Sequence, residues 1–445
     1  MVWQMKSSLK DNFCSSPWFH IRIDPAGNYL PCRWDFSGSM STHNVSNTSL
    51  PGYLNSDLMC QLRTQLLQGG DPQTCKSCRY EDQNNKVSGR QRQLLKSGIV
   101  ETNFDKTFCA SPHWDRFEYS HNNQGRTQDE PVDLQIDLGN TCNSACIMCS
   151  PRYSSRIAKD YQKLHELAPK QFEKSNQQSN WTDDPGLVDK FVDELGNLKS
   201  IKYMHFLGGE TLYMKSFYDI CNRLIDAGVA QGTIMGTTTN CTVYDDRIEH
   251  IIKNFKQVHL GISIESVTEL NDYIRWPGKI DQCLANIKKF LDLRERTGLQ
   301  ISLRITPNIF SIWHLDSLIK FMIENHVIAE SCNILSDPSC LRIELLPNSI
   351  RQEVIDKLNK VIDEYGLVES DTVIINRRRE DLIDPVISAV VFEYRNFLKN
   401  YVEPADIEIQ RYNLVKFIRA FESLRNNTIL SYLPEYEEFL RRYGY

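Results

Sequence analysis

The stretch VDLQIDLGNTCNSACIMC, residues 132–149, joins a short alternating segment to three closely spaced cysteines. VDLQID alternates apolar and polar side chains, as a β-strand does, whereas RIAKDYQKLHEL, which follows the cysteines, has the apolar spacing of an α-helix. Cys142, Cys146 and Cys149 are therefore predicted to lie in a loop that leaves the end of a strand and enters a helix.

The alternation of strand and helix continues along the chain. Further predicted strands, each separated from the next by a helix-like segment, are IKYMHFLGGE, GTIMGTTTN, QVHLGISIES, LQISLRITPNI and CLRIELL. Six strands that alternate with helices imply parallel pairing and right-handed crossovers. The predicted fold class is therefore α/β, either a barrel or an open sheet, with its functional groups at the C-terminal ends of the strands.

Length and composition narrow the class of protein. The chain of 445 residues is long enough for two or three domains, and its net charge of -6 does not by itself indicate a polyanionic partner. No apolar run is long enough to span a membrane and no signal peptide core begins the chain, so we expect a cytoplasmic protein with no membrane partner. Fourteen cysteines are many for a reducing compartment, and clustered ones indicate metal or redox chemistry.

The three cysteines of the loop favour an iron–sulfur cluster. Soft thiolate ligands suit iron–sulfur clusters or zinc. A structural zinc site normally has four protein ligands, and no fourth cysteine or histidine lies nearby in the sequence. A cubic cluster held by three thiolates leaves one iron open, and an open iron can bind an outside chelator.

The CNSACIMC motif resembles the signature of the radical S-adenosylmethionine (SAM) superfamily. The resemblance implies a partial (β/α)6 radical SAM barrel over residues 128–346, a 4Fe-4S cluster held by Cys142, Cys146 and Cys149, and SAM bound to the open iron. In that family the reduced cluster cleaves SAM to methionine and a 5′-deoxyadenosyl radical, which takes a hydrogen atom from the substrate.

The end of the second barrel strand strengthens the resemblance. Gly208, Gly209 and Glu210 resemble the GGE motif, whose backbone and carboxylate receive the SAM amino group. A cation needs acceptors, and two glycines allow close approach of the backbone. Taken alone, this tripeptide is more often a turn.

Later strand ends carry polar residues at positions where relatives contact SAM. These are Asn240 after the third strand, and Ser263 and Glu265 after the fourth. Arg304 on the fifth strand could pair with the SAM carboxylate or with an acid of the barrel interior. Met148 occupies a position near the adenine where relatives usually have an aromatic or other large apolar group.

A second group of cysteines precedes the barrel. FCSSPWFHIRIDPAGNYLPCRWD predicts two strands joined by a turn at residues 25–28, with Cys14 opening the first strand and Cys32 closing the second. DPQTCKSCRYED adds Cys75 and Cys78, which makes four ligands and a closed site that zinc would fit as well as iron–sulfur on ligand count. Cys60 is one further thiol that could replace one of them.

The spacing of these four cysteines resembles the twitch domain, the shortened SPASM domain that carries an auxiliary 4Fe-4S cluster. The resemblance implies a twitch domain in residues 1–107, two 4Fe-4S clusters in all, and a helical region in residues 347–445 that closes the barrel or binds substrate. Twitch domains usually follow the barrel, so this order resembles a smaller group of proteins, many of them phage-encoded. The likeness extends through YIRWPG, residues 273–278.

Relatives with such domains commonly modify peptides by crosslinking or by epimerisation at Cα. Some phage members resemble enzymes of thymidine hypermodification, a radical SAM isomerase reaction that rearranges a glycyl group on the base within the host cytoplasm. We therefore predict an enzyme that abstracts hydrogen from an amino-acyl C–H group, with peptide modification as the first candidate and phage DNA hypermodification as the second. A non-catalytic iron–sulfur protein is the third. Expected partners are a reductant such as flavodoxin or ferredoxin and a peptide or an amino-acyl-modified nucleic acid. Cys241 is the candidate hydrogen donor, against the alternative of a packed cysteine.

Overall fold

The computed structural model describes residues 9–33, 35, 42–83, 88–167, 172, 180–329, 333–369 and 383–445. One eight-stranded sheet has the order β2-β1-β3-β4-β5-β6-β7-β8, in which β1 and β2 pair antiparallel and the other neighbours pair parallel. The strands are β1 His20–Ile23, β2 Tyr29–Leu30, β3 Asp133–Asp137, β4 Tyr203–Leu207, β5 Ile234–Thr239, β6 Gln257–Ser263, β7 Gln300–Arg304 and β8 Ile328–Ala329.

Helices fall into three groups along the chain. The N-terminal helices are α1 Leu9–Asn12, α2 Ser16–Phe19, α3 Leu50–Leu54, α4 Asp57–Leu67, α5 Lys76–Gln83, α6 Gly89–Lys96, α7 Phe104–Cys109 and α8 Trp114–Asn122. Those between the sheet strands are α9 Ser155–Leu167, α10 Pro185–Asn197, α11 Lys215–Asp226, α12 Arg247–Asn254, α13 Leu270–Ile274, α14 Ile280–Thr297 and α15 Leu315–Glu324. The C-terminal helices are α16 Asn348–Tyr365, α17 Ile383–Asn400, α18 Ile407–Arg425 and α19 Glu437–Arg442.

The predicted α/β class is confirmed, because the six parallel strands β3 to β8 alternate with helices. β2 and β8 form the two edges of the sheet, so it has the open form of a partial barrel. No helix within the described residues is long and apolar enough to cross a membrane.

The two faces of the sheet differ in polarity, as the alternation of β3 predicts. Leu134 and Ile136 are fully buried in the apolar core. Gln135 and Asp137 point to the opposite face, and the register pairs Gln135 with His205 of β4. The inner face of the partial barrel is therefore polar where it approaches the C-terminal ends of the strands.

The prediction of a sixth strand at CLRIELL is wrong. This segment forms two short 3-10 helices, Ser339–Leu341 and Ile343–Leu345, and the sixth parallel strand is β8 instead. The carbonyls of Leu345 and Leu346 accept hydrogen bonds from Arg411 of α18 at 2.9 and 3.2 Å, so a side chain replaces a neighbouring strand as the partner. An apolar run predicts burial, but it does not separate a buried strand from another buried conformation.

The N-terminal hairpin is confirmed, with two differences from the prediction. Cys14 lies before helix α2 rather than at the start of β1, and β1 pairs in parallel with β3, so the hairpin extends the same sheet. Its turn requires Gly27, which has a φ of 85° and whose added Cβ would lie 2.8 Å from Val45 and 2.9 Å from Trp181.

The C-terminal helices are fastened to the cysteine loop by one buried arginine. Arg425, the last residue of α18, donates to the carbonyl of Ala145 at 2.6 Å and to Asp160 of α9 at 3.0 Å. Its guanidinium also lies over the ring of Trp276, 5.2 Å from the centroid. The cysteine loop is therefore anchored by a C-terminal helix as well as by the strand from which it leaves.

Arg425→Met should lower the free energy of unfolding by about 3 kcal/mol, because Asp160 then stays buried without its partner. Denaturant unfolding followed by circular dichroism measures the change. Arg419→Met, at an exposed position of the same helix, is the control. Equal losses in the two variants would show that the buried ion pair does not stabilise the fold.

Candidate active site at the C-terminal ends of the strands

The cysteine loop leaves β3 and is anchored through its backbone. Ala145 N–H donates to the carbonyl of Trp276 at 2.7 Å, and Ile147 N–H donates to that of Ile274 at 2.9 Å. Both acceptors belong to the YIRWPG segment at the end of α13. Because backbone groups on both sides of Cys146 are fixed, the direction of its thiol is fixed as well.

The three thiols of the loop lie close enough to affect one another. Burial and then the neighbouring Cys146 raise the pKa of Cys142 to about 12. The pKa of Cys149 is also raised, first by burial and then by Cys146 and Cys142. Three thiolates this close together, one of them buried and two partly buried, are costly without a cation, and a bound metal removes that cost. The chemistry of this donor set fits an iron–sulfur cluster.

The second glycine of the GGE tripeptide packs against the start of the cysteine loop. A Cβ added to Gly209 would lie 2.6 Å from the carbonyl oxygen of Asn140 and closer still to that of Thr141. The next residue, Glu210, donates its N–H to the Thr141 carbonyl at 3.0 Å. The close backbone approach that the sequence predicts for this motif is therefore, for Gly209, an approach to the backbone of the loop.

The carboxylate of Glu210 is 2% exposed and accepts several hydrogen bonds. Its Oε1 accepts from Thr239 Oγ1 at 2.6 Å and from Leu212 N–H at 3.3 Å, and its Oε2 accepts from Asn240 N–H at 2.6 Å. Burial raises the pKa of Glu210 to about 7. A carboxylate oxygen can accept two hydrogen bonds, and Oε2 receives one from the residues that the structure describes. A cation beside Oε2 would therefore be stabilised by it.

Asn240 connects the end of β5 to the cysteine loop. Its Nδ2 donates to Asn143 Oδ1 and to Ser144 Oγ, both at 2.9 Å, and its Oδ1 accepts from Thr242 N–H at 3.0 Å. Both ends of the amide are thus engaged with protein groups. This geometry holds Asn240 beside the loop, and its predicted contact with SAM stays a prediction.

Glu265 forms a buried ion pair that the sequence analysis did not identify. Its Oε1 accepts from Arg275 Nη2 at 2.6 Å, and its Oε2 accepts from Thr306 N–H at 3.0 Å. Burial raises the pKa of Glu265 to about 7. Arg275 also lies with Nη1 3.7 Å from Cys146 Sγ. The sequence pointed to Arg275 only through its place in YIRWPG, a segment that carries part of the family resemblance but for which no role was predicted.

The remaining predicted SAM contacts lie at the same edge of the sheet. Ser263 and Arg304 are paired in register at the ends of β6 and β7. Arg304 packs over Gly261, where an added Cβ would lie 2.8 Å from its Cδ. Met148 Sδ lies 3.3 Å from Asn308 Nδ2. The fold therefore gathers residues from the third to the seventh strand at one edge.

Cys241, the candidate hydrogen donor, is fully buried in the apolar core. Burial raises the pKa of its thiol well above the usual value. This environment favours the alternative of a packed cysteine, and donation by Cys241 stays a prediction.

The four N-terminal cysteines meet at one cavity. Burial raises the pKa of the Cys14 thiol to about 12. The pKa of the Cys75 thiol is raised first by burial and then by the other three cysteines of the group. Among the residues described, no three His, Cys, Asp or Glu side chains converge closely enough to hold a single metal ion. Cys60 lies on α4, where its thiol donates to the Asn55 carbonyl at 3.6 Å. The thiols that line the cavity are Cys14, Cys32, Cys75 and Cys78.

The inner face of the sheet carries a polar group that sequence reasoning missed. His205 is 5% exposed, and its Nδ1 lies 3.1 Å from the hydroxyl of Tyr203. Its Nε2 has no hydrogen-bond partner among the described residues, nor does the nearby buried Oγ1 of Thr238 on β5. Buried polar atoms are rarely left without a partner, so these two atoms are available to a ligand. The signal in the sequence was a histidine at an inward position of YMHFL.

Two family models match the chain. That of the radical SAM superfamily matches residues 136–307, from β3 to just past β7, and includes the cysteine loop. That of the SPASM iron–sulfur cluster-binding domain matches residues 14–79, a range that begins at the first of the four N-terminal cysteines and contains all of them. No curated protein matches the chain.

Solved structures resemble the chain only distantly. SuiB of Streptococcus suis bound to S-adenosylmethionine is 13% identical with a TM-score of 0.34, and the alignment covers 69% of this chain and 64% of SuiB. For anSMEcpe with bound AdoMet the identity is 14%, the TM-score 0.36, and the coverage 53% of this chain and 61% of that protein. The chain thus matches less than two thirds of the length of either protein, and at these TM-scores its assignment depends on the family models. On those models, the chain contains a domain of the radical SAM superfamily, residues 136–307, and a SPASM-type iron–sulfur cluster-binding domain on its N-terminal side, residues 14–79.

Proposed function

We propose that this chain is a radical SAM enzyme that modifies a peptide by removing hydrogen from an amino-acyl C–H group. The observation that carries the proposal is the contact of the three-thiol loop with two acidic strand ends, directly with Glu210 after β4 and through Arg275 with Glu265 after β6. When bound, a 4Fe-4S cluster supplies the electron that cleaves SAM, and the resulting 5′-deoxyadenosyl radical removes the hydrogen atom. A one-electron donor such as flavodoxin or ferredoxin is the proposed reductant.

Cys142, Cys146 and Cys149 are the proposed ligands of the cluster that binds SAM. Their burial and their mutual effect on pKa support this assignment, because thiolates so placed need a cation. Three protein ligands leave one iron open to SAM.

Glu210 is the proposed acceptor of the SAM amino group. Oε2 retains acceptor capacity within a buried site, and a hydrogen bond from a cation to a carboxylate is among the stronger kinds. Ser263, Glu265, Arg304 and Met148 complete the proposed SAM site, with Arg304 facing the SAM carboxylate and Met148 near the adenine. Gly209 brings this strand end against the loop.

The four cysteines that line the N-terminal cavity are proposed to hold the second 4Fe-4S cluster. The match to an iron–sulfur cluster-binding domain favours a cluster over zinc at this site. Four protein ligands leave no open iron for a substrate, so we assign this cluster a structural and substrate-positioning role.

The polar inner face of the sheet is the proposed place for the substrate. A peptide presents N–H donors and carbonyl acceptors, and His205 Nε2 and Thr238 Oγ1 are buried polar atoms that can pair with them. Hydrogen abstraction needs the C–H group held close to the attacking carbon, and fixed polar contacts to the peptide backbone provide this.

One observation favours a second candidate, a phage enzyme that isomerises a glycyl group on thymidine in DNA. The SPASM-type domain precedes the barrel, which is the order resembling the N-terminal twitch group. The two candidates differ in the molecule that loses hydrogen. Turnover with deuterated candidates separates them, because only the true substrate transfers deuterium to 5′-deoxyadenosine.

Triple replacement of Cys142, Cys146 and Cys149 by Ala should remove half of the iron and all SAM cleavage. Two cubic clusters correspond to about eight iron and eight sulfide per chain in the parent protein. Iron and sulfide analysis of anaerobic protein, with chromatography of 5′-deoxyadenosine, measures both effects. Cys109→Ala changes an exposed thiol and is the control. SAM cleavage by the triple variant would contradict the proposed ligand set.

Glu210→Gln should weaken SAM binding by about 1.5 to 3 kcal/mol, the range for a hydrogen bond to a charged group. The substitution keeps the size of the side chain and removes its charge, so the iron content should not change. Isothermal titration of anaerobic protein with SAM gives the affinity, and exposed Glu269→Gln is the control. Loss of iron from the Glu210 variant, or unchanged affinity, would rule out this role.

A further inference from the structure

The guanidinium of Arg275 lies within hydrogen-bond distance of a sulfur of the cysteine loop. Its Nη1 lies 3.7 Å from Cys146 Sγ, within the longer range of hydrogen bonds to sulfur. Its Nη2 is 2.6 Å from Glu265 Oε1, and the Glu265 side chain is 1% exposed. The same arginine thus contacts a proposed cluster ligand and a buried acid.

The position of Arg275 is fixed by its own backbone and by its partner. Its N–H donates to the carbonyl of Asn271, and its carbonyl accepts from Gly278 N–H. Glu265 is held in turn by Thr306 N–H at 3.0 Å. The flanking residues Ile274 and Trp276 are those that bind the cysteine loop through backbone hydrogen bonds. The guanidinium and the Cys146 sulfur are therefore carried by two segments that are bonded to each other.

We propose that Arg275, balanced by Glu265, is a positioning residue that sets the reduction potential of the iron–sulfur centre at Cys146. The inference rests on the proposed function, which assigns a cluster to this loop. A cationic donor to a ligand sulfur stabilises the more negative, one-electron reduced state of a cluster, and so raises its potential. The electron comes from the external reductant.

Glu265 limits this effect. The carboxylate lies against the guanidinium and compensates its charge, so the sulfur experiences mainly the N–H donor. Removing the carboxylate charge should leave Arg275 more positive towards the sulfur. The two members of the pair therefore act on the potential in opposite directions.

Arg275 also has donor capacity left. Its Nε is buried and has no hydrogen-bond partner among the described residues. Two other arginines near the loop, Arg156 and Arg425, donate instead to backbone carbonyls, those of Asn143 and Ala145. Each contacts the loop backbone without reaching its sulfurs, so Arg156 is the control for a nearby cation that makes no bond to sulfur.

The test is a reductive titration of the anaerobic, cluster-loaded full chain followed by electron paramagnetic resonance. The signal that changes on addition of SAM reports the centre at the cysteine loop, and the midpoint potential is measured without SAM. Arg275→Gln should shift the midpoint to a more negative value and Glu265→Gln to a more positive one. Arg275→Lys, which keeps the charge but cannot make both planar contacts, should shift it negatively by less than Arg275→Gln. Arg156→Gln should leave it unchanged.

Several results would overturn the proposal. An unchanged midpoint in Arg275→Gln, shifts of the same sign in the Arg275 and Glu265 variants, or an equal shift in Arg156→Gln would exclude a specific effect at the sulfur. Loss of iron from both Arg275 variants, with iron retained by Arg156→Gln, would make Arg275 a structural residue instead. If the parent chain binds no cluster at the loop, the proposed function itself fails, which is a separate outcome.

Discussion

The site depends on two backbone hydrogen bonds, from Ala145 to Trp276 and from Ile147 to Ile274. The side chains of Ala145 and Ile147 are fully buried in the apolar core, so their backbone N–H groups need partners within the protein. These two bonds attach the loop to the segment around the end of α13, which follows β6 in the sequence. The strand ends that could contact SAM then surround a rigid loop, and their spacing from its thiols is fixed.

Buried ionisable groups surround this loop, and their charges are only partly compensated. The pKa values of Glu210 and Glu265 are raised to about 7 by burial, and the loop thiols also have raised pKa values. Each of these shifts means that the charged form lacks solvation. An iron centre would neutralise the thiolates and an ammonium group would stabilise Glu210, so the binding of both groups is favoured by the charges that the fold has buried.

Two ion pairs join the N-terminal domain to the barrel, in addition to the pairing of β1 with β3. Arg22 of β1 forms a buried ion pair with Asp137 of β3 at 2.7 Å, directly before the cysteine loop, and Arg152 after the loop pairs with Asp24 of the hairpin turn at 2.9 Å. Loss of either arginine would leave the buried carboxylate that it faces without its ion-pair partner. The two proposed iron–sulfur centres are therefore supported by one continuous sheet, although their cysteines are far apart in the sequence.

The sequence by itself determined the α/β class, the loop after β3 and the two groups of cysteines, because these follow from local periodicity and from close spacing along the chain. It also located the strand-end residues Glu210, Asn240 and Glu265, since parallel strands end at a common edge. The tertiary structure alone decided that CLRIELL is not a strand, that β1 extends the sheet, and that Arg275 reaches a sulfur. Each of these depends on a partner distant in sequence, such as Arg411 for the carbonyls of CLRIELL, and no local pattern encodes which distant group will satisfy a buried polar atom.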